Sequence, residues 1–151
     1  MLKKTVLIIL VTLVVITLVI SVGCTSQSKY DFSQVTRADV SAINGHWTSG
    51  AEDDGIIVHP SLLNVKGQTV IWSGVSLPVD IEIYAADNDF GKWVKGQLVY
   101  QGKGTISDWK GEIQVPFSSM NVPAGSGYGF TYVTIHMPDG KTYSANSFCK
   151  I

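Results

Sequence analysis

Cysteine is scarce in this 151-residue chain: Cys24 and Cys149 are the only two. No Cys-x-x-Cys pair occurs, and no cysteine cluster has metal-ligand spacing. Histidine is little richer. His46, His59 and His136 form neither a His-x-His nor a His-x-x-x-His pair, so no metal site is assigned and no cofactor is expected. Basic charge is also short. Lys3 and Lys4 carry the only charges of the first 28 residues, and beyond them nine basic residues face twelve acidic ones. Lys66, Lys92, Lys95, Lys103, Lys110 and Lys141 are scattered rather than striped. A weakly acidic body without a basic stripe argues against nucleic acid as a partner. Serines are plentiful, but no Gly-x-Ser-x-Gly elbow is present. The carboxylate pairs Asp53-Asp54 and Asp87/Asp89 fall in loop-like stretches, where adjacent acids are usually just solvated. No catalytic residue is assigned and the chain is read as a non-enzyme. Asn-x-Ser/Thr sites, a Ser/Thr/Pro-rich stalk and internal repeats are absent as well.

Thr5 to Val22 is an uncharged run of 18 residues rich in Val, Ile and Leu. As a helix it would reach about 27 Å, close to the thickness of a bilayer core. Thr5, Thr12, Thr17 and Ser21 do not prevent this, because a helix can bond their hydroxyls to its own backbone. Lys3 and Lys4 precede the run, and the positive-inside rule keeps them in the cytoplasm and sends the rest of the chain outside. Two readings share that topology. The end of the run, Gly23-Cys24 followed by Thr25-Ser26-Gln27-Ser28, resembles the prokaryotic lipobox. That resemblance implies lipidation of Cys24, which would become the new N-terminus. Ser21 departs from the pattern, in which an aliphatic residue usually stands there. The run is also longer than the roughly 7 to 15 residues of a secretory signal, which suits an uncleaved transmembrane anchor instead. With Cys24 lipidated, Cys149 stands alone; otherwise the two could pair in an oxidising exterior. Cys149 is expected to pack as a small apolar residue near the end of the last strand.

Residues 25–54 read as a linker. Within it residues 31–43 allow one short helix, capped by Asp31 or Ser33, with Phe32, Val35, Ala38/Asp39 and Ala42/Ile43 near helical spacing. Residues 44–55 then read as loop, with two Gly-containing turns and an acidic patch. From Gly55 to the end the period is two. Over residues 79–85, Val79, Ile81 and Ile83 alternate with Asp80, Glu82 and Tyr84. Residues 112–117 repeat the pattern with Ile113, Val115 and Phe117, and 69–75 and 128–137 are β-branched and aromatic runs. Turn signals stand at Lys66-Gly67, Leu77-Pro78, Asn88-Asp89 with Gly91, Gly102 and Gly104, Pro123 with Gly125, and Pro138-Asp139-Gly140. The last predicts a tight hairpin between two antiparallel strands. Seven or eight short strands without a helical period predict an all-β fold over 55–151, an antiparallel two-sheet sandwich preceded by an N-terminal transmembrane or signal helix over 1–24.

Over residues 55–151 the sequence resembles immunoglobulin-like and fibronectin type III-like modules. Trp72, followed by a strand bearing Tyr84, is similar to the core Trp and next-strand Tyr of fibronectin type III modules. The stretch from Val122 to Ile135 resembles their approach to the penultimate strand. The resemblance implies that Tyr128 is a tyrosine corner, its hydroxyl returning to the preceding loop. It also implies binding, spacing or assembly at a cell surface, while fold alone does not fix function.

The aromatic residues are the best functional lead. A core would claim Trp72 first. Trp47, Trp93 and Trp109 lie in or beside turns, near Gly and Lys, and are taken as ligand-binding candidates, since exposed aromatics stack on sugars and anchor interfaces. The alternative for each is that it caps an open end of the core. Residues 87–91 echo a calcium loop but lack its third acid and closing Glu, so an Asp/Asn-capped turn is the reading there. A looser calcium site joining Asp87 and Asp89 to residues 52–54 stays open. The chain is therefore expected to be a membrane-anchored, outward-facing binding or assembly module of the cell envelope. Its partner would be an envelope protein or glycan. The alternative is an envelope lipoprotein that binds a metal ion or small solute for a transporter or enzyme.

Overall fold

A computed structural model describes residues 31–50 and 52–151. The anchor or signal over 1–24, the lipidation residue Cys24 and the tether after it lie outside the described residues. Seven strands follow one another: β1 Arg37–Gly45, β2 Gly55–Leu63, β3 Ser73–Asp89, β4 Lys92–Asp108, β5 Ile113–Pro116, β6 Tyr128–His136 and β7 Thr142–Lys150. They form two antiparallel sheets, a smaller one ordered β1-β2-β5 and a larger one ordered β4-β3-β6-β7. Successive strands run in opposite directions. The β1–β2, β3–β4 and β5–β6 connections therefore gather at one end, called upper here. The described chain begins at the other, lower end.

Period-two alternation builds the core. Val79, Ile81 and Ile83 of β3 point inward and are buried, as do Val133 and Ile135 of β6. Ile56, Val58 and Leu62 of β2 and Val115 of β5 meet them from the smaller sheet in one cluster. Each such side chain stabilises the fold by about 1.5–3 kcal/mol on leaving water. Trp72, at 2% exposure, is the largest fully buried side chain. The Pro138-Asp139-Gly140 turn closes the expected hairpin: the Gly140 amide donates to Met137 O at 3.0 Å, and Gly140 takes φ +83°.

Several expectations are corrected. Residues 31–43 form no helix. Asp31 caps a single 3-10 turn, Phe32–Gln34, and β1 begins at Arg37, ahead of residue 55 where the sandwich was expected to start. The reason is tertiary: Val40 and Ala42 alternate inward, and nine register pairs to β2 outweigh one local cap. Leu77-Pro78 is no turn. Pro78 lies inside β3 but pairs only with Thr105 of β4, one residue before the β3–β6 ladder starts at Val79, so that ladder loses nothing to its missing N–H. Pro60 likewise sits inside β2, beyond the stretch that pairs with β5. Residues 69–75 are not a continuous strand: Thr69 makes an isolated bridge to Leu63, and β3 starts only at Ser73.

Gly102 and Gly104 are interior positions of β4 rather than turns. They face inward, paired with the buried Ile81 and Val79 of β3, and β-carbons there would strike the Tyr100 ring and the Ile113 side chain. A strand glycine marks such a close approach.

Candidate functional site

The outer face of the larger sheet carries the residues that alternate with the core. From β3 these are Asp80, Glu82 and Tyr84, and from β6 Phe130, Tyr132, Thr134 and His136. Trp93 of β4 and Phe148 of β7 complete the row. Near the upper end Trp93 is 47% exposed. Its ring centroid lies 5.4 Å from that of Tyr128 and 5.8 Å from that of Phe148. Tyr128 lies nearly flat on Phe148, at 5.4 Å and 10°, and Phe130 meets Phe148 edge-on at 5.1 Å. These rings are held at fixed strand positions, yet Trp93, Tyr128 and Phe148 all keep large exposed area. That is unusual for apolar surface, and no partner among the described residues covers it.

Below this cluster the face becomes amphipathic. Tyr84 and Tyr132 meet edge-on at 5.6 Å. Register shifts between β3 and β4 at Tyr84 accompany the placement of Lys95 Nζ over the Tyr84 ring, 3.5 Å from its centroid and 4.6 Å from that of Tyr132. Such bulges re-aim side chains. The Tyr84 hydroxyl donates to Glu82 at 2.8 Å, and Gln101 Nε2 donates to the other Glu82 oxygen at 3.3 Å. One step further down, Asp80 Oδ2 lies 2.7 Å from His136 Nε2, and Asp80 Oδ1 lies 3.6 Å from Lys103 Nζ. The His136 hydrogen bond, helped by Lys103, holds the Asp80 carboxyl below its ordinary range. Asp80, Glu82, Gln101, Lys103, Tyr132 and Thr134 border a shallow depression of about 500 Å³. The arrangement can stack a flat ring and accept or donate several hydrogen bonds beside it.

The three tryptophans singled out in the sequence do not converge. Trp93 alone stands on this face. Trp47, in the β1–β2 connection at the upper end, is half-buried and lies over Gly45 and Gly55, where β-carbons would strike its ring. Its loop is tied down by Asp54, whose carboxylate accepts from the Trp47 and Thr48 amides and from the Thr48 hydroxyl at 2.6 Å. The Thr48 hydroxyl, followed by the Trp47 amide, lowers the Asp54 pKa. Trp109 is at the lower end and packs against the core. Its amide donates to Trp72 O at 3.1 Å, and Lys110 Nζ lies 4.9 Å from its ring centroid.

Tyr128 is not a tyrosine corner. It is 45% exposed and stacks on Phe148, because its position at the start of β6 faces outward. The tyrosine that ties strand to backbone is Tyr143, whose hydroxyl donates to Val35 O at 2.9 Å. Reading residues 128, 130, 132, 134 and 136 as one strand face would have found most of the aromatic surface. What no local pattern carried is its meeting with Trp93 and Phe148 from other strands.

The remaining candidates are dispersed. His46 Nδ1 lies 2.8 Å from Glu52 O, and His59 Nε2 lies 3.5 Å from Glu112. Asn88 Oδ1 accepts from the Gly91 amide at 2.8 Å, the side-chain-capped turn expected for residues 87–91. No group of three or more His, Cys, Asp or Glu placed to hold a metal ion occurs among the described residues. Cys149 is buried on the inner face of β7, its Sγ 3.3 Å from the Thr131 hydroxyl, and burial raises its thiol pKa.

No family model matches the chain, and neither a curated protein nor a solved structure is significantly similar to it. The class it belongs to is therefore defined by its own architecture: an all-β, antiparallel two-sheet sandwich. One outer face of that sandwich is lined with aromatic and hydrogen-bonding side chains.

Proposed function

We propose that this chain is a membrane-anchored, outward-facing, non-catalytic binding module of the cell envelope, of the fibronectin type III-like kind. In this reading the outer face of the larger sheet is the binding surface. The observation that carries it is the exposed Trp93–Tyr128–Phe148 cluster, apolar area kept in water at fixed positions. Three further observations support it. The strand order β1-β2-β5 against β4-β3-β6-β7, with a buried Trp ahead of β3, suits a fibronectin type III-like module. The apolar run over 5–22 behind Lys3 and Lys4 suits an anchor that leaves the domain outside. The described chain starts at the lower end, opposite Trp93, so the seven Cα–Cα steps from Cys24 to Asp31, at most about 25 Å, join the anchor to the end of the sandwich away from the aromatic cluster.

Two experiments test this. The intact mass of membrane-extracted protein reads the anchor: a diacylated species beginning at Cys24 is expected, and one still starting at Met1 removes lipidation but keeps the membrane. The full chain, immobilised and exposed to detergent-solubilised envelope, should retain a component that Trp93→Ala loses and Trp47→Ala keeps. Equal retention by both variants would refute the assignment of this face.

A further inference from the structure

We infer that the ligand of this face is a neutral oligosaccharide, seated in the depression beside Glu82 and Asp80 and extending along the sheet onto the Trp93 cluster. The inference rests on the reading of the outer face as the binding surface and adds the chemistry of what it binds.

A sugar offers hydroxyls, which need fixed acceptors and donors, and C–H faces, which need a flat ring. Both kinds of partner are in place. Each carboxylate has about four lone-pair sites. Glu82 uses two of its sites on Tyr84 and Gln101, and Asp80 uses two on His136 and Lys103. The rest are left beside the depression, on side chains whose rotamers are already fixed. Tyr132 supplies the adjoining ring and Thr134 a hydroxyl. At about 500 Å³ the depression falls in the size range of small-ligand sites.

Charge selects among sugars. Two carboxylates face the depression against one lysine, Lys103, whose side chain is largely in solvent. Phosphorylated, sulfated or uronic acid ligands would meet like charge there. A protein partner is less well suited, because a dry interface would bury both carboxylates at a high desolvation cost.

Length follows from the register. Glu82 pairs with Tyr132, and the Trp93 ring lies beside Tyr128, four residues up β6 from Tyr132, which is about 13 Å at 3.3 Å per residue. Only a chain of several sugars reaches from the depression to Trp93. Between them Lys95 Nζ sits above Tyr84 and Tyr132 as a further donor.

The test uses the full chain in phosphocholine-detergent micelles, since glycoside detergents would compete. Hexasaccharides and disaccharides of glucose, mannose and N-acetylglucosamine are titrated by calorimetry, with polygalacturonate as the anionic comparison. At least one neutral hexasaccharide should bind with a Kd below about 1 mM. Glu82→Gln and Tyr132→Ala should each weaken it about tenfold. Trp93→Ala should weaken the hexasaccharide and leave the disaccharide unchanged. Glu82→Gln keeps the shape of the side chain, so it reads binding even if Tyr132→Ala disturbs the fold. Failure of every neutral hexasaccharide at about 10 mM, tighter binding of polygalacturonate, or indifference to all three variants overturns the inference. If the sugars fail while an envelope protein is still retained in a Trp93-dependent way, the ligand class falls and the binding surface stands. If neither binds, both fall.

Discussion

At the lower end of the sandwich Trp72 is 2% exposed, with Phe32 edge-on at 5.9 Å and Trp109 hydrogen-bonded to its carbonyl. At the upper end Trp93 is 47% exposed, with Tyr128 and Phe148 beside it. Both groups contain one central tryptophan and two partners. The lower group closes the core: its apolar area has left water and contributes to folding. The upper group sits on an outer face, so much of its area stays in water and contributes little until a ligand covers it. Aromatic clustering alone therefore does not separate a core cap from a binding surface; the side of the sheet does.

Substituting the two tryptophans in turn is the sharpest way to break this comparison. Trp72→Ala should cost about 3–5 kcal/mol and lower Tm by about 10 °C or more, read by urea and thermal unfolding. Trp93→Ala should cost less than about 1 kcal/mol in the same assays. Equal losses would mean that Trp93 belongs to the core and that its exposure is incidental.

The contrast was only half legible in the sequence. Val79, Ile81 and Ile83 announced the inner face of β3 by alternation, and the hairpin at Pro138-Asp139-Gly140 followed from turn chemistry. Trp72 was placed in the core correctly. What misled were residues whose local meaning is reversed by long-range pairing. Pro78 and Pro60 signal breaks, but each lies in a stretch of strand paired on one side only. Gly102 and Gly104 signal turns, but they make room for Tyr100 and Ile113. The caps and spacing in 31–43 suggested a helix, and pairing with β2 made it β1. Tyr128 matched a motif by its neighbours and was redirected by its strand face. Of the proposed site only Trp93 was chosen beforehand. Phe148 and the β6 aromatics belong to separate segments, and nothing local says they meet.

A smaller effect should come from the inner side of β4. Gly104→Ala places a β-carbon against Ile113, which closes the sandwich edge, and should cost about 1–3 kcal/mol. The double variant Gly104→Ala/Ile113→Val should recover part of that loss. Recovery would show that the cost is steric and lies on the core side, independent of the outer face. No recovery would point instead to the branch at the Ile113 β-carbon, which valine keeps.

Acid should act on the outer face and on the β1–β2 loop through lowered carboxyl pKa values. Asp54 is lowered chiefly by the Thr48 hydroxyl, and Asp80 chiefly by His136. A carboxyl whose folded pKa lies below its unfolded value of about 3.9 adds stability above that pH. That stability is lost as pH falls through the folded value. Unfolding curves taken between about pH 5 and pH 2 should therefore steepen below about pH 4. Asp80→Asn should flatten the curve without changing exchange of the Trp47 and Thr48 amides. Asp54→Asn should flatten it and speed that exchange, loosening the loop under Trp47. An unchanged acid limb in both variants would mean that other carboxylates dominate acid unfolding.

The smallest effect is expected at the tip of the β3–β4 hairpin, and there the sign is reversed. Asp89 pairs with Lys92 across a two-residue loop in which Phe90 takes φ +49° and Gly91 φ +83°. Positive φ at both central positions is the type I′ turn, which favours Asn-Gly. Phe90 fits it poorly, since a left-handed conformation costs a side chain of this kind roughly 1–2 kcal/mol, and its ring is fully exposed. Phe90→Asn should thus raise stability by about 0.5–1 kcal/mol, seen as a higher urea midpoint at unchanged m-value. If the variant is stabilised and still binds as the wild type does, the tip lies outside the ligand's footprint, which then ends at Trp93. If it is stabilised but binds more weakly, the footprint extends past Trp93 to the tip, and the strained phenylalanine joins the upper aromatic group as surface kept for a partner at the expense of the fold.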